Sequence, residues 1–176
     1  RLNLKSKDYF VVSAHREENI DLNNNFEVLT ASLNAVAEKY QKPIIFSTHP
    51  RTKNRIEKSK INFHPLITNI SPLGFFDYVK LQKNAFVVLS DSGTISEESA
   101  MMGFPAVSIR TSTERPEAID AGTIVLGGIG TEQILNSIEI TIGLVADDDT
   151  DLPWEYNVKN TSERIVKVIQ SYTSIV

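Results

Sequence analysis

Residues 85–103 read AFVVLSDSGTISEESAMMG, an apolar run followed by a short polar turn and an amphipathic stretch. The run Ala85–Leu89 has apolar side chains at consecutive positions, which is typical of a strand covered on both faces of its sheet. The amphipathic stretch ends at Gly103, and glycine often terminates helices. We therefore expect a buried strand, a tight turn and a helix from Gly93 to Met102.

The same alternation of short apolar runs and amphipathic stretches continues in both directions along the chain. Further apolar runs predict strands at Tyr9–Ser13, Pro43–Ser47, Pro65–Ile67, Pro105–Ile109 and Thr123–Leu126. Apolar positions with a helical period predict helices at Asn24–Tyr40, Leu73–Leu81, Glu132–Ile142 and Ser162–Tyr172. Because alternating strands and helices imply right-handed crossovers, the predicted fold class is α/β, with one parallel sheet flanked by helices.

The composition indicates one globular domain spanning residues 1–176, with 41% hydrophobic and 23% charged residues. A formal net charge of −4 argues against a nucleic-acid partner, and no apolar run reaches the roughly 18 residues that span a membrane. The absence of cysteine excludes disulfides and cysteine nucleophiles and is compatible with a cytoplasmic location. The chain opens at Arg1 rather than Met, so we expect its natural N-terminus to lie upstream.

Polar clusters follow four of the predicted strands. They are Ser13–Asn19, Ser47–Arg51, Ser90–Thr94 and Arg110–Glu117. In a parallel sheet, ligands bind at the carboxyl ends of the strands, near the point where the strand order reverses. These clusters therefore predict a single binding site at that edge, and a structural domain without a ligand is the weaker alternative.

The cluster Ser90–Thr94 has the features of an anion site. The first N–H groups of a helix lack internal acceptors and lie at the positive end of the helix dipole. Ser92 offers a hydroxyl and Gly93 lets an oxyanion approach the backbone, so a phosphate or diphosphate is the expected guest. The alternative interpretation is an ordinary serine N-cap.

Two acids follow in the same predicted helix. Glu97 and Glu98 diverge by about 100° around a helix axis, so we expect them to serve different roles. One of them is suited to accept hydrogen bonds from the vicinal hydroxyls of a ribose. The alternative is that both acids only stabilise the helix dipole.

His15 and Arg16 directly follow the first predicted strand. Beside a diphosphate, both supply hydrogen bonds and positive charge where a leaving group gains negative charge, and His15 is also a candidate for proton transfer. His49 precedes Pro50, which favours extended geometry, and is a candidate for contact with the same ligand or a neighbouring one. The alternative for His15 is a capped histidine in a loop.

Other motifs are interpreted as structural. The three histidines lack the short spacing of a zinc site, so no metal is expected. The acidic run Asp147–Asp149 lacks the glycine and glutamate of a calcium-binding loop and is interpreted as a solvated loop. Gly127–Gly130 matches a dinucleotide fingerprint only in part and is interpreted as a turn. Trp154 and Tyr156 are expected to be packing or domain-contact residues rather than a platform on which a ligand stacks.

Three segments together resemble the non-hydrolysing UDP-N-acetylglucosamine 2-epimerase family. They are HREEN at 15–19, SDSGTISEE at 90–98, and TERPE at 113–117 followed by AGT at 121–123. Their order and spacing are similar to those of the C-terminal half of that family over essentially the whole chain. The resemblance implies the second Rossmann-like domain of a GT-B-like two-domain enzyme, with the N-terminal domain absent and the active site between the domains.

The resemblance also implies roles for individual residues. Ser92, Gly93 and Glu98 match UDP-binding positions, the first two at the diphosphate and the third at the ribose. Arg115 lies in a segment that lines the cleft and is assigned to UDP binding, and His15 matches an active-site histidine. In some bacterial members a second UDP-sugar binds as an activator; the matching positions are Arg16, Glu18 and His49.

The reaction that the resemblance implies is inversion at C2 of the sugar. A base removes the C2 proton, UDP leaves from C1, and UDP adds back after reprotonation on the other face. This chemistry needs no cofactor, neither nicotinamide nor metal. The family's proton-moving carboxylates lie in its N-terminal domain, so this chain alone is expected to bind UDP weakly and not to epimerise. Full-length members commonly form homodimers.

The chain departs from the common family pattern at several positions. Glu17 replaces the second arginine of His-Arg-Arg-Glu-Asn, and Thr94 replaces the second glycine after the diphosphate serine. These departures resemble the branch that forms UDP-N-acetyl-L-fucosamine for capsule and O-antigen synthesis. Two other functions stay open: the donor-binding domain of a GT-B glycosyltransferase, and a non-catalytic sugar-nucleotide sensor. Retaining glycosyltransferases often carry paired glutamates eight residues apart, a spacing at which this chain has Pro105 and Ala106.

Overall fold

A computed structural model describes residues 2–22, 24–59, 61–145 and 152–173. Six strands form one sheet: β1 (Phe10–Ser13), β2 (Ile44–Ser47), β3 (Ile67–Ile70), β4 (Val87–Ser90), β5 (Ala106–Ser108) and β6 (Val125–Leu126). The strand order is β3-β2-β1-β4-β5-β6, and every neighbouring pair is parallel. This order is that of a Rossmann-like sheet, so the predicted fold class is confirmed.

Helices cover both faces of the sheet. They are α1 (Glu17–Ile20), α2 (Asn25–Tyr40), α3 (Pro50–Lys58), α4 (Phe75–Lys83), α5 (Ile95–Met102), α6 (Pro116–Asp120), α7 (Thr131–Val145) and α8 (Thr161–Tyr172), with a 3₁₀ turn at Trp154–Asn157. One apolar cluster joins Phe10 and Val12 of β1 to α2 and α7. The other joins Val11 to α4, α5 and α6. Consecutive residues of β1 are therefore buried on opposite faces, which explains why its apolar run is continuous.

Most predicted elements are present, with one strand clearly misplaced. The prediction Pro65–Ile67 is wrong, because β3 begins only at Ile67 and runs to Ile70. Residues before it form a turn, in which the Ile67 amide donates to the His64 carbonyl over 2.8 Å. β3 is an edge strand with exposed Thr68 and Asn69 at its centre, so it lacks the continuous apolar run by which the inner strands are recognised.

Three helices do not appear among the sequence predictions. α3 is the most instructive, because its residues are almost all polar or charged and only Thr52 is buried. Periodic apolar positions are the main helix signal, and α3 lacks them. α1 and α6 are four and five residues long, too short for a periodic pattern. α8 is predicted correctly, but its apolar stripe of Ile165, Val168, Ile169 and Tyr172 is exposed.

The strand order reverses between β1 and β4. Ser13 at the end of β1 is in register with Ser90 at the end of β4. The chain leaves β1 toward α1 and leaves β4 toward α5, so the two connections part at this point and open a crevice between them. Within the described ranges, no helix is long and apolar enough to cross a membrane. The acidic run Asp147–Asp149 lies outside the described residues.

Candidate functional site

Asp91 is the buried anchor of the crevice between β1 and β4. It follows β4 directly, and none of its surface is exposed. One carboxylate oxygen accepts hydrogen bonds from the amides of His15 and Arg16, both at 2.9 Å, and from the Asn19 side chain at 3.0 Å. Asn19 also donates to the Ile109 carbonyl beyond β5. Asp91 therefore ties together the ends of β1, β4 and β5.

His15 is held against Asp91 by its side chain as well as by its backbone. Its Nδ1 lies 3.1 Å from a carboxylate oxygen of Asp91, while the side chain keeps 45% of its surface exposed. The hydrogen bond to Asp91 is the main reason that the pKa of His15 is raised above its ordinary value, against the effect of burial. Burial by itself raises the pKa of Asp91, but the hydrogen bonds from His15 and Arg16 lower it overall. When His15 is protonated, the two side chains form an ion pair that faces solvent on the histidine side.

Arg16 adds a second positive charge at the same place. Its Nε donates to the Asp91 carbonyl over 2.9 Å. A Cβ atom built on Gly93 would lie 3.8 Å from its Nη2. The guanidinium therefore borders the turn that joins β4 to α5, and a side chain at position 93 would enter the space between them.

The turn of Ser92, Gly93 and Thr94 presents backbone donors. The amides of Gly93 and Thr94 have no hydrogen-bond partner in the described part of the chain, whereas the Ser92 amide donates to the Ser90 hydroxyl over 3.1 Å. The hydroxyls of Ser92 and Thr94 lie 3.0 Å apart. α5 begins at Ile95, two residues later than predicted, because Gly93 and Thr94 form a separate turn. The unpaired N–H groups of Gly93 and Thr94 therefore remain for an anion beside Arg16 and His15.

The two acids of α5 have different partners, as the helical angle between them requires. Glu98 accepts from the Gln82 side chain over 2.8 Å and from the Thr94 hydroxyl over 2.7 Å. Glu97 accepts from Nε of Arg115 over 2.6 Å. Glu98 is therefore bound to Thr94 in the turn before α5, while Glu97 links α5 to the segment before α6.

Arg115 is the residue that precedes α6. Its hydrogen bond to Glu97 is the main reason that the pKa of the guanidinium is raised. Close by, the Tyr156 hydroxyl donates to Glu117 over 3.0 Å, and burial raises the pKa of this tyrosine above its ordinary value. Tyr156 packs against the helix layer, as expected for a packing residue, and connects the C-terminal segment to α6. Trp154, in contrast, is 71% exposed and does not pack into the core.

Glu18 contacts Arg110 rather than Arg16. The Arg110 side chain is only 3% exposed and lies 3.6 Å from Glu18. Its two terminal nitrogens each donate to Glu114 over 2.9 Å, which lowers the pKa of Glu114 to about 2. Arg110 thus joins α1 to the segment that leads into Arg115.

His49 lies beside His15. The two ring centroids are 6.5 Å apart, and Nδ1 of His49 faces the Arg51 amide at the start of α3. Arg51 in turn pairs with Asp21 at 2.6 Å. Among the residues predicted for a second ligand, Arg16 is the chain neighbour of His15, His49 lies next to its ring, and Glu18 is paired with Arg110.

Several site residues escape sequence reasoning. Asp91 sits inside the quoted Ser90–Thr94 cluster, and a lone acid directly after a buried apolar run is a signal that identifies it. Asn19 and Arg110 also lie in quoted clusters. Tyr78 and Gln82 come from α4, where their residue types are those of an ordinary helix; burial raises the pKa of Tyr78 above its ordinary value. Nothing in the local sequence of α4 indicates that it faces the crevice.

No group of three or more metal-ligating side chains lies together within the described residues. A cavity of about 660 Å³ is present, but it lies away from the crevice, lined by residues such as Phe104, Ala106 and Thr141. None of the predicted site residues lines it. The chemistry-bearing groups are instead collected along the carboxyl edge of β1, β4 and β5.

Comparison with known proteins places this arrangement in one family. Residues 1–170 match the family described as UDP-N-acetylglucosamine 2-epimerase. The chain is 39% identical over 142 residues to the enzyme of that name from Methanococcus maripaludis, covering 77% of this chain and 38% of that protein. It is 33% identical to the enzyme from Methanocaldococcus jannaschii, covering 92% of this chain and 44% of that protein.

Solved structures agree. The 2-epimerase from Rickettsia bellii superposes with a TM-score of 0.80 at 37% identity, over 99% of this chain and 47% of that one. The M. jannaschii enzyme in complex with UDP-GlcNAc and UDP gives a TM-score of 0.81 at 32% identity, over 93% of this chain and 45% of that one. The heptosyltransferase WaaC from E. coli superposes with a TM-score of 0.52 at 17% identity and shows a shared fold only. This chain spans less than half the length of these relatives, and it belongs to the UDP-N-acetylglucosamine 2-epimerase family.

Proposed function

We propose that this chain is the UDP-binding half of a UDP-N-acetylhexosamine 2-epimerase. The observation that supports it most directly is the pair of unpaired amides at Gly93 and Thr94, placed beside Arg16 and His15 where the strand order reverses. Backbone N–H groups and two cationic side chains suit a diphosphate. The M. jannaschii relative, solved with UDP-GlcNAc and UDP, binds ligands of this class.

The geometry of the crevice supports each proposed contact. Ser92 and Gly93 hold the diphosphate, the first by its hydroxyl and the second by its amide. Glu98 accepts hydrogen bonds from the ribose hydroxyls; Gln82 and Thr94 hold its carboxylate in place while each oxygen keeps a further lone pair. Arg115 is bound to Glu97 of α5 and adds a positive charge at the border of the crevice.

In the proposed reaction a base removes the C2 proton as UDP leaves from C1, C2 is reprotonated on its other face, and UDP adds back to C1, so that C2 is inverted. The groups described here act on the leaving group. As the C1–O bond breaks, the diphosphate gains negative charge, and His15 and Arg16 supply the compensating charge from fixed positions. The proton transfers at C2 are assigned to carboxylates outside this chain, so the chain alone binds UDP without epimerising.

A second UDP-sugar is proposed to bind beside the first. The ring of His49 lies 6.5 Å from that of His15, so a ligand held by His49 would lie next to the imidazole that is proposed to face the first diphosphate. Glu18 contributes through its contact with Arg110. This arrangement supports communication between adjoining sites through His15.

The wider setting is also proposed from the resemblance. We place the full-length enzyme in the cytoplasm as a homodimer that makes precursors for surface polysaccharides. A relative from Pseudomonas aeruginosa, 29% identical over 96% of this chain, is named UDP-2,3-diacetamido-2,3-dideoxy-D-glucuronate 2-epimerase. The family therefore includes proteins named for different UDP-amino sugars, which supports a role with one of them.

The test is a calorimetric titration of this chain with UDP. Ser92→Ala and Glu98→Ala should each weaken binding about tenfold, the effect of one hydrogen bond to a charged group. Ser162→Ala and Glu163→Ala make the same chemical changes on the exposed helix α8 and should bind as wild type. Unchanged affinity in both crevice variants would contradict the proposed placement of UDP.

The reaction is tested on the full-length enzyme in D2O with candidate UDP-sugars. Deuterium incorporated at C2 is the expected result and would establish epimerisation. Transfer of the sugar to an acceptor would indicate a glycosyltransferase, and binding without exchange would indicate a sensor; either outcome overturns the proposed reaction.

A further inference from the structure

The fully buried carboxylate of Asp91 is surrounded by four hydrogen-bond donors. Its carboxylate accepts from the two amides of residues 15 and 16, from the Asn19 amide group and from Nδ1 of His15. Its own backbone carbonyl accepts from Arg16. A buried carboxylate stays ionised only when hydrogen bonds and opposite charge compensate for lost hydration, and both kinds of compensation are present here.

The ionised carboxylate constrains His15 in two ways. It occupies Nδ1, so the imidazole cannot rotate without losing that hydrogen bond, and only Nε2 remains for another partner. It also places a full negative charge against the ring. The other charged or titratable groups around this pair are Arg16 on the same segment, His49 at the start of α3, and Tyr78 of α4.

The electrostatic balance favours a cationic ring. Arg16 opposes protonation of His15, but it is bonded to the Asp91 carbonyl rather than to the carboxylate, so the carboxylate is not shared with the guanidinium. Tyr78 is neutral near pH 7, since burial raises its pKa. The carboxylate of Asp91 is therefore the dominant charge that acts on the imidazole.

We propose that Asp91 is the positioning residue of the crevice: it fixes the His15 ring through Nδ1 and maintains it as a cation whose Nε2–H donates to the diphosphate of a UDP-sugar. This inference rests on the proposed function, because it requires a diphosphate beside His15. The net charge of the Asp91–His15 pair is zero before binding, so the carboxylate stabilises the histidine cation in the free protein. In the complex, the ring offers a charged donor with a preset orientation to the departing UDP.

The first test follows the three histidines of this chain by ¹H–¹⁵N NMR as pH is varied, without ligand. In the wild type, the midpoint of His15 should lie above the ordinary value of about 6.5, and its neutral form should carry the proton on Nδ1. Asp91→Asn should lower the midpoint and remove the preference for Nδ1. Asp8→Asn makes the same change at the opposite end of β1, beside Lys42, and should leave His15 unchanged.

The second test measures binding of UDP-N-acetylglucosamine as a function of pH. This probe is chosen because its diphosphate is a diester and lacks the ionisation near pH 6 of a terminal phosphate. Wild-type affinity should fall as pH rises through the His15 midpoint, and the fall should occur at lower pH in Asp91→Asn. At pH 7 that variant should bind about tenfold more weakly, while Asp8→Asn should match the wild type.

The outcomes separate this inference from the proposed function. A wild-type His15 that titrates at or below its ordinary value, or whose neutral form carries the proton on Nε2, overturns the role of Asp91 even if UDP-sugars bind. This wild-type measurement also decides the matter if Asp91→Asn fails to fold. A His15 that titrates as expected in a chain that binds no UDP-sugar overturns the proposed function and the diphosphate contact, but leaves the Asp91–His15 pairing established.

Discussion

Four serines lie side by side at the carboxyl edge of the sheet. Ser13 is in register with Ser47 on one side and with Ser90 on the other, and Ser90 is in register with Ser108. Small side chains at the last position of each strand leave room for the following loops to turn back over the edge. The Ser90 hydroxyl also stabilises the following loop, because it accepts a hydrogen bond from the Ser92 amide in the turn before α5.

Gly93 permits a prediction that separates binding from stability. Its φ angle is not in the left-handed region, and an added Cβ would meet only Arg16 Nη2, at an ordinary contact distance of 3.8 Å. Gly93→Ala should therefore change the free energy of unfolding by no more than about 0.5 kcal/mol. The added methyl group would occupy the approach to the amides, so UDP should bind about tenfold more weakly.

Urea denaturation and calorimetric titration of the same Gly93→Ala preparation check both parts. Gly143→Ala, on α7 away from the crevice, is the control for UDP affinity. A variant that binds UDP as wild type would show that the ligand does not approach the backbone at position 93.

At the scale of elements, β5 and α7 pack closely against the residue that follows β6. Gly127 follows β6 and is buried, and a Cβ atom there would lie 2.6 Å from Val107 of β5 and 3.0 Å from the Ser137 hydroxyl of α7. The nearer neighbour, Val107, is branched at Cβ and lies in a buried strand, so its side chain has little freedom to turn away. The interpretation of residues 127–130 as a turn is consistent with this packing role, since glycine is required at position 127 for close approach rather than for phosphate binding.

Gly127→Ala should therefore destabilise the protein by about 1–3 kcal/mol through overpacking. Gly143→Ala is the matched control, because a Cβ at that exposed position of α7 meets nothing within 4 Å. In a helix interior this change should stabilise the protein by about 0.5–1 kcal/mol. Urea denaturation of both variants measures the difference, and equal stability of the two would contradict the close packing at Gly127.

Apolar periodicity in the sequence predicts the buried strands and helices well, but it predicts the mostly polar α3 and the edge strand β3 poorly. β1, β2, β4 and β5 were predicted within about two residues because each is buried on both faces. α3 and β3 have few buried apolar positions, so their place is determined by the elements beside them. The start of α5 was predicted two residues early because a turn of glycine and threonine does not differ locally from a first helical turn.

The pH dependence of stability belongs to the whole molecule, because it sums groups from several elements. Asp91 and Glu114 have lowered pKa values, that of Glu114 being about 2. Their stabilising effect is complete above the unfolded values, near 4, and is lost as pH falls through the folded values. His15 has a raised pKa, so its effect is complete below about 6.5 and is lost as pH rises through the folded value.

We therefore expect maximal stability between about pH 5 and 6.5, with a decline on both sides. Urea midpoints measured from pH 3 to 8.5 check this profile. His15→Gln should flatten the decline above pH 6.5 and, because Asp91 loses the hydrogen bond that lowers its pKa, should also reduce the Asp91 part of the decline on the acid side. A wild-type midpoint that rises steadily from pH 6 to 8 would contradict the raised pKa of His15.

The sequence by itself determined the α/β class, the order of most strands and helices, and which segments are polar at the strand ends, because these follow from local apolar periodicity. The three quoted segments also indicated the family. Only the tertiary structure decided which polar groups meet. Asp91 reaches a histidine 76 residues earlier, and Asn19 bridges to a carbonyl 90 residues later. Such contacts depend on the strand order and on the parallel register, which bring distant residues to one edge of the sheet and which no local pattern specifies.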